Sequence, residues 1–244
     1  MKSGTLYLIP TNLSDQFSPT EILPATVIAT ALRLNHYIAE NAKSARAFLK
    51  KIGTERPMLG ISILELNDQT RADDLTKLIA PLLAGHDVGL VSEAGAPGIA
   101  DPGTVIVALA HQHGLNVVPL VGPSSLLLGL MASGLNGQTF AFHGYLPQEK
   151  TARVAEIIVL EKESAKRNMT QLFIETPYRN RALWSDLLAT LADATQLCIA
   201  RDLTGEREYV RTMSVIDWRK QALAMEKLPT LFLFLAHSAL NKKG

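Results

Sequence analysis

Short apolar runs alternating with stretches of helical periodicity fill the first half of the chain, and that alternation constrains the fold more than any other feature. Thr5 to Ile9 is an apolar run stopped by Pro10 and reads as a buried first strand. Helical spacing follows from Thr20 to Leu34, with Pro24 tolerated within the first turn or so. His36 to Ala39 predicts a second strand, and a helix from about Ala42 to Ile52 is ended by Gly53. Met58 to Leu64 predicts strand three. Thr70 to Leu83 is an amphipathic helix with Arg71, Asp73, Asp74 and Lys77 on its solvated side, closed by Gly85. Val88 to Ser92, a helix from Pro102 to His113, and Asn116 to Leu120 complete the series. Strands that alternate with helices of about 10 to 15 residues require right-handed crossovers and a mostly parallel sheet. Such sheets bind ligands outside the carboxyl ends of their strands.

The second half has another rhythm. A helix from Ser124 to Ser133 precedes a strand (Thr139 to His143), a helix (about Glu149 to Lys166) and a strand (Gln171 to Glu175). A helix (Arg179 to Leu191), two strands (Gln196 to Arg201, Glu208 to Met213), a helix (Val215 to Met225) and an apolar strand (Thr230 to Ala236) follow. Only Asp202 to Arg207 separates the paired strands, which predicts a hairpin and a mixed sheet. The fold expected is two α/β domains, residues 1–121 with a mostly parallel sheet and residues 122–244 with a mixed one.

Composition narrows the function. Of 244 residues, 47% are hydrophobic and 19% charged, ample for a buried core. Basic and acidic side chains number 24 and 23, for a net charge of +1, so long-range attraction to nucleic acid is not the organising feature. An RNA partner therefore needs a local patch. The single cysteine, Cys198, excludes an internal disulfide and a cysteine-rich zinc site, and its apolar surroundings predict a buried core thiol. The opening MKSGTLYLIP is too short in its apolar part for a signal peptide, and no window approaches the roughly 18 to 20 apolar residues of a membrane span. A soluble, cytoplasmic protein without metal or membrane partner is expected.

There is no GxxxxGK[ST] loop, no GxGxxG after the first strand, no GxSxG and no HExxH. His111 and His113 stand two apart on a predicted helix and cannot face one ligand together. Three loops remain, each after a predicted strand. SEAGAPGIADPG, residues 92–103, is dense enough in glycine and alanine for backbone to approach a ligand closely, although Asp101 before Pro102 also reads as an ordinary N-cap. Val121-Gly122-Pro123-Ser124-Ser125 opens a helix with two hydroxyls and free amides. Glu175-Thr176-Pro177-Tyr178-Arg179 carries polar groups from a strand end into a helix start.

Taken in order, these motifs resemble the tetrapyrrole methylase superfamily of class III S-adenosylmethionine-dependent methyltransferases. Within it the likeness is to the bacterial branch that methylates a cytidine ribose 2′-hydroxyl in small-subunit ribosomal RNA. That branch reads SDAGTPxISDPG at residues 92–103 and VVPLPGPSA where this chain has VVPLVGPSS. It reads EGFLP where this chain has HGYLP, YESPHR where it has IETPYR, and ARELT where it has Ala200-Arg201-Asp202-Leu203-Thr204. The departures fall elsewhere. PTPIGNLxD is shortened to Pro10-Thr11-Asn12-Leu13-Ser14-Asp15, AEDTR becomes Ala39-Glu40-Asn41-Ala42-Lys43, and DHNE becomes Leu64-Glu65-Leu66-Asn67.

The resemblance implies S-adenosylmethionine in a cleft between the two domains and a homodimer. Gly95, Ala96, Pro97 and Ile99 would line one side of the cofactor, Ser124 and Ser125 would touch it from the interdomain turn, and Ala200 with Pro229, Thr230 and Leu231 would complete the adenine and ribose side. Glu40 and Glu93 are the candidate bases, because a ribose hydroxyl needs help to lose its proton. Lys43 and Arg179 are candidates for steering a phosphate. Asparagine at 41 cannot act as a base and lysine at 43 cannot reproduce a bidentate fork, so that ribosomal ribose is not expected as the acceptor. The rival expectations are a noncatalytic RNA- or protein-binding relative and a methyltransferase of a small metabolite.

Overall fold

The computed structural model describes residues 3–236, and the chain divides between Ser124 and Ser125 into two units with one five-stranded sheet each. In the first, β1 (Thr5–Ile9) is followed by α1 (Pro19–Ile22), α2 (Ala25–Arg33), β2 (His36–Ala39) and α3 (Ala42–Lys51). A 3₁₀ turn (Met58–Gly60) leads into β3 (Ser62–Glu65), α4 (Ala72–Leu83), β4 (Val88–Val91), α5 (Thr104–Gln112) and β5 (Asn116–Pro119). The strand order is β3-β2-β4-β1-β5 and every pair is parallel, as the alternation predicts.

Two expectations fail locally. The single helix from Thr20 to Leu34 is divided, because Pro24 forces Leu23 into an extended conformation (φ −88°, ψ 140°) and restarts the helix at Ala25. Strand three begins at Ser62 rather than Met58, since Met58–Gly60 closes a 3₁₀ turn behind Pro57.

The helices cover both faces of the first sheet. Val27 of α2 and Phe48 and Leu49 of α3 pack with Ile9 and Tyr37 in one core, while Ile79 and Leu82 of α4 and Ile106 of α5 pack with Leu6 and Ile38 in another. The strands before α2 and α3, β1 and β2, therefore feed one face, and β4 between them feeds the other through α5. That reversal opens a crevice at the carboxyl ends of β1, β4 and β2. A Cβ on Gly89 would lie 2.6 Å from Ile9 Cδ1, so glycine in β4 is set by packing of the sheet and not by the crevice.

The amino-terminal ends of the same strands hold a histidine pair, His36 and His86, with ring centroids 5.0 Å apart. His36 Nδ1 is buried without a partner among the described residues. Burial, then the charge of His86, lowers the His36 pKa below its usual 6.5. Arg33 and Arg56 add positive charge here, and Asp87 is engaged by Arg33 and the Thr5 amide. The unfolded chain thus takes up the His36 proton before the folded one does, so stability is full above about pH 6.5 and declines as pH falls through the lowered value. Denaturant unfolding between about pH 5 and 8 should show that decline, and His36→Gln should flatten it; an unchanged slope in the variant would assign the effect elsewhere.

The second unit runs α6 (Ser125–Ser133), β6 (Phe140–Tyr145), α7 (Lys150–Arg167), β7 (Thr170–Glu175), α8 (Asn180–Thr190), β8 (Gln196–Arg201), β9 (Tyr209–Ser214), α9 (Val215–Trp218) and β10 (Thr230–Leu235). Its order is β6-β7-β10-β8-β9, with β6–β7 parallel and the other pairs antiparallel, so the sheet is mixed and β8–β9 is the expected hairpin. The helix expected to reach Met225 stops at Trp218. Trp218 is buried with Nε1 donating to Leu197 O at 2.7 Å, and Arg219 donates to the carbonyls of Leu188 and Leu191, so tertiary bonds end the helix. Trp184 and Trp218 meet edge to face at 5.2 Å in the core, beside Phe173, Phe232 and Phe234. Cys198 is fully buried, and burial pushes its thiol up to about 11, as a core residue requires.

Candidate active site

At the crevice of the first unit a cavity of about 340 Å³ is lined by Thr11, Ser44, Phe48, Lys51, Ser92 and Glu93, among others. A second, of about 360 Å³, is lined by Glu40, Asn41, Asn67, Asp68, Gln69 and Glu93. Glu93 borders both. The shortened opening segment supplies one wall of the first: Thr11 exchanges main-chain bonds with Gly95 (3.0 and 3.2 Å), and its hydroxyl donates to Ser92 O at 3.2 Å. Ser92 Oγ in turn donates to Gly95 O at 2.6 Å.

The glycine-rich loop is tied differently from the expectation. Asp101 does not cap α5, whose N-cap is Gly103. Its Oδ1 instead accepts from the amides of Gly98 (3.1 Å) and Gly103 (2.6 Å), and Thr104 Oγ1 donates to Gly98 O at 3.0 Å. This closure needs left-handed backbone at Gly95 (φ +72°) and Gly98 (φ +77°), which glycine adopts without strain. A Cβ on Gly98 would meet only Thr104 Oγ1, at 3.9 Å, so the space beside it is open. Gly122 is different. A Cβ there would come within 2.2 Å of Pro10 Cγ, so its glycine is demanded by the protein's own packing.

The start of α3 is doubly capped. Asn41 Oδ1 accepts from the amides of Lys43 (2.8 Å) and Ser44 (3.3 Å), while Glu65 Oε1 accepts from Ala42 N at 2.8 Å. Glu40, one residue before this cap, reaches solvent, yet its pKa is raised. Loss of surrounding water contributes most, followed by the negative charges of Glu93, Asp101 and Asp68. A carboxylate destabilised in its charged form is a stronger proton acceptor, which suits a general base. Glu93 is exposed beside it and acts through its charge.

Among the proposed cofactor residues of the first unit, Gly95 is buried, Ala96 and Pro97 are half-buried and Ile99 is exposed. Ser124 is half-buried, and its hydroxyl has no partner among the described residues.

In the second unit, the Ser125 hydroxyl at the start of α6 is likewise without a partner among the described residues. Ala200 and Leu231 lie against α6, where a Cβ on Gly129 would be 3.3 Å from Ala200 Cβ and 2.4 Å from Leu231 Cδ2. Their side chains serve packing. Pro229 is exposed, and Thr230 Oγ1 is held by Asn180 Nδ2 at 3.1 Å, which also donates to Leu228 O at 2.8 Å. Arg179 is engaged by the buried Glu175 carboxylate at 2.6 and 2.8 Å, so its charge is neutralised within the chain. Sequence reasoning missed Glu65, Asn180 and the closing role of Asp101. Glu65 left a signal as an acid just past a predicted strand, and Asp101 as an acid ahead of Pro102.

The whole described chain has the fold of the solved methyltransferase CobJ, with a TM-score of 0.63, 15% identity, and coverage of 97% of this chain and 95% of that one. No family model matches. The ribosomal RNA small subunit methyltransferase I of Xylella fastidiosa is 33% identical over 210 residues, 85% of this chain and 71% of the relative. That of Bacillus subtilis is 32% identical over 221 residues, 89% and 71% respectively, and that of Escherichia coli O157:H7 is 28% identical over 239, 97% and 79%. Fold and relatives define a methyltransferase built from two α/β units. The chain belongs to the family of ribosomal RNA small subunit methyltransferase I.

Proposed function

We propose that this chain moves a methyl group from S-adenosylmethionine to an RNA nucleotide, with Glu40 as the base. The observation that carries the assignment of the base is the place of Glu40 in the wall of the 360 Å³ cavity with Glu93, where loss of water and neighbouring carboxylates raise its pKa. The residues fit the cofactor: open space beside Gly98 suits the close approach of a polar ligand, and Ser124 and Ser125 offer unpartnered hydroxyls among the described residues. Pro229 and Thr230 are the remaining candidates, through main chain or the Thr230 hydroxyl. When bound, the sulfonium supplies the methyl carbon. Glu40 would take the proton from the acceptor atom that receives the methyl group. The loop's contribution is position, since holding the reacting atoms in line supplies much of the rate.

RNA as the acceptor class rests on the relatives, which are named for acting on ribosomal RNA. The altered segment Glu40-Asn41-Ala42-Lys43 argues against the ribose expected from the resemblance. Expressed in cells lacking the ribosomal enzyme, this chain is expected to leave that cytidine unmethylated, and Asn41→Asp, Ala42→Thr and Lys43→Arg together to restore it. Restoration by the unaltered chain would overturn this. Incubation with methyl-labelled S-adenosylmethionine and total RNA tests the acceptor class directly. Label in an RNA fragment supports it, and label confined to small molecules would favour a cationic metabolite, for which Glu40, Asp68 and Glu93 make a receptive wall. A homodimer is proposed on the exposure of Leu127 and Met131 on α6, and light scattering at tens of micromolar should find twice the chain mass.

A further inference from the structure

Helix α3 carries Lys43, Arg46, Lys50 and Lys51 and no acid. All four are exposed, and only Lys51 has an ion pair among the described residues, with Asp15 at 2.6 Å. The other three fall within about 60° of the helix circumference and span about 10 Å along its axis. The opposite face is the buried one, with Ala45, Phe48 and Leu49 in the core. An ordinary solvated helix in this chain mixes its signs: α4 has Asp73, Asp74 and Lys77, and α7 alternates acids and bases along its length. Lys50 and Lys51 suit the negative end of the α3 dipole, but Lys43 and Arg46 lie in its first half, where the dipole disfavours cations. Helix stability therefore does not account for them.

The row also lies beside the candidate site. Ser44, Ala47 and Lys51 of the same helix line the 340 Å³ cavity, and Ala47 falls about 40° around the helix from Lys43. We infer that the exposed face of α3 carrying Lys43, Arg46 and Lys50 is a track for the phosphates of a single-stranded RNA, placing a nucleotide of that strand at the cavity. The inference rests on the RNA reading proposed above and names the surface that would grip such an acceptor. It also supplies the local patch that a net charge of +1 requires. Lysine and arginine in a row suit phosphates as point charges, with each contact releasing counterions.

The test is anisotropy of a labelled single-stranded RNA of about 20 nucleotides, titrated at several salt concentrations between about 50 and 200 mM. Each phosphate contact contributes about 0.7 to the slope of log affinity against log salt, so the Lys43→Gln, Arg46→Gln, Lys50→Gln triple variant should lose about 2 from that slope. The charge-keeping triple, Lys43→Arg, Arg46→Lys and Lys50→Arg, should retain it. Each single glutamine variant should lose about 0.7, which keeps the test sound if the triple folds poorly. A glutamine triple that binds RNA with the wild-type slope, while the wild type still transfers label to RNA, overturns the track and leaves the RNA reading standing. Wild-type protein that labels no RNA overturns that reading, and the track with it. Loss of binding to phosphatidylserine vesicles in the triple, with RNA binding unchanged, would make α3 a lipid surface and also overturn the track.

Discussion

Glu40→Gln is expected to lower methyl transfer by roughly 10²- to 10⁴-fold while leaving S-adenosylmethionine affinity unchanged, because the amide keeps the shape of the side chain and cannot accept the proton. The base must be ionised to act, so activity should rise with pH through the Glu40 pKa. That pKa lies above the ordinary carboxylate value because of desolvation and the charges of Glu93, Asp101 and Asp68. Removing one of those charges with Glu93→Gln should move the acid limb of the pH–rate profile downward. Isothermal titration and single-turnover rates on the two variants separate these effects. A Glu40→Gln enzyme with wild-type turnover would remove Glu40 from the chemistry, and an unmoved acid limb in Glu93→Gln would mean that another group titrates.

Arg153→Met is expected to destabilise the second unit by about 3 to 5 kcal/mol. Arg153 of α7 and Asp186 of α8 are both buried, with Asp186 Oδ2 accepting from Nε at 2.8 Å and from Nη2 at 2.6 Å. Nη1 donates to the carbonyls of Pro147 and Gln148 at 3.2 and 2.7 Å, so one guanidinium joins two helices and the turn before them. Methionine fills the volume but leaves the buried Asp186 carboxylate with no cation nearer than Lys150 Nζ, 4.0 Å from its Oδ1. Removing that carboxylate as well, in Arg153→Met with Asp186→Leu, should recover most of the loss, since replacing a whole buried pair is often neutral. Denaturant unfolding of the three proteins at neutral pH measures it. A single variant within about 0.5 kcal/mol of wild type would show that the pair contributes nothing.

The sheets were legible because period-two and period-3.6 patterns are local properties. β1, β2 and β8 have the bounds that their apolar runs predict, and the β8–β9 hairpin follows from the short connection. What failed depended on a neighbour: Pro24 acting on Leu23, Pro57 shaping the turn before β3, and Arg219 reaching back to the end of α8. The candidate site divides in the same way. Residues 92–103 announce a backbone-lined loop through composition alone. The environment of Glu40 does not, because Asp68, Glu93 and Asp101 reach it from segments far along the chain. Lys43 stood out as a substitution in a motif, whereas its alignment with Arg46 and Lys50 has meaning only once Phe48 and Leu49 fix which face of α3 is buried.

The paired main-chain bonds between Thr11 and Gly95 have a dynamic consequence. A loop free to close over a ligand loses conformational entropy at the moment of binding, at roughly 1 to 2 kcal/mol for each residue whose backbone becomes fixed. Here the segment after β1 and the glycine-rich loop are cross-braced, and Ser92 and Asp101 brace the latter again from within. Their disorder is surrendered during folding, so the loop meets its ligand as a rigid template, and association on that side should proceed without a slow closing step.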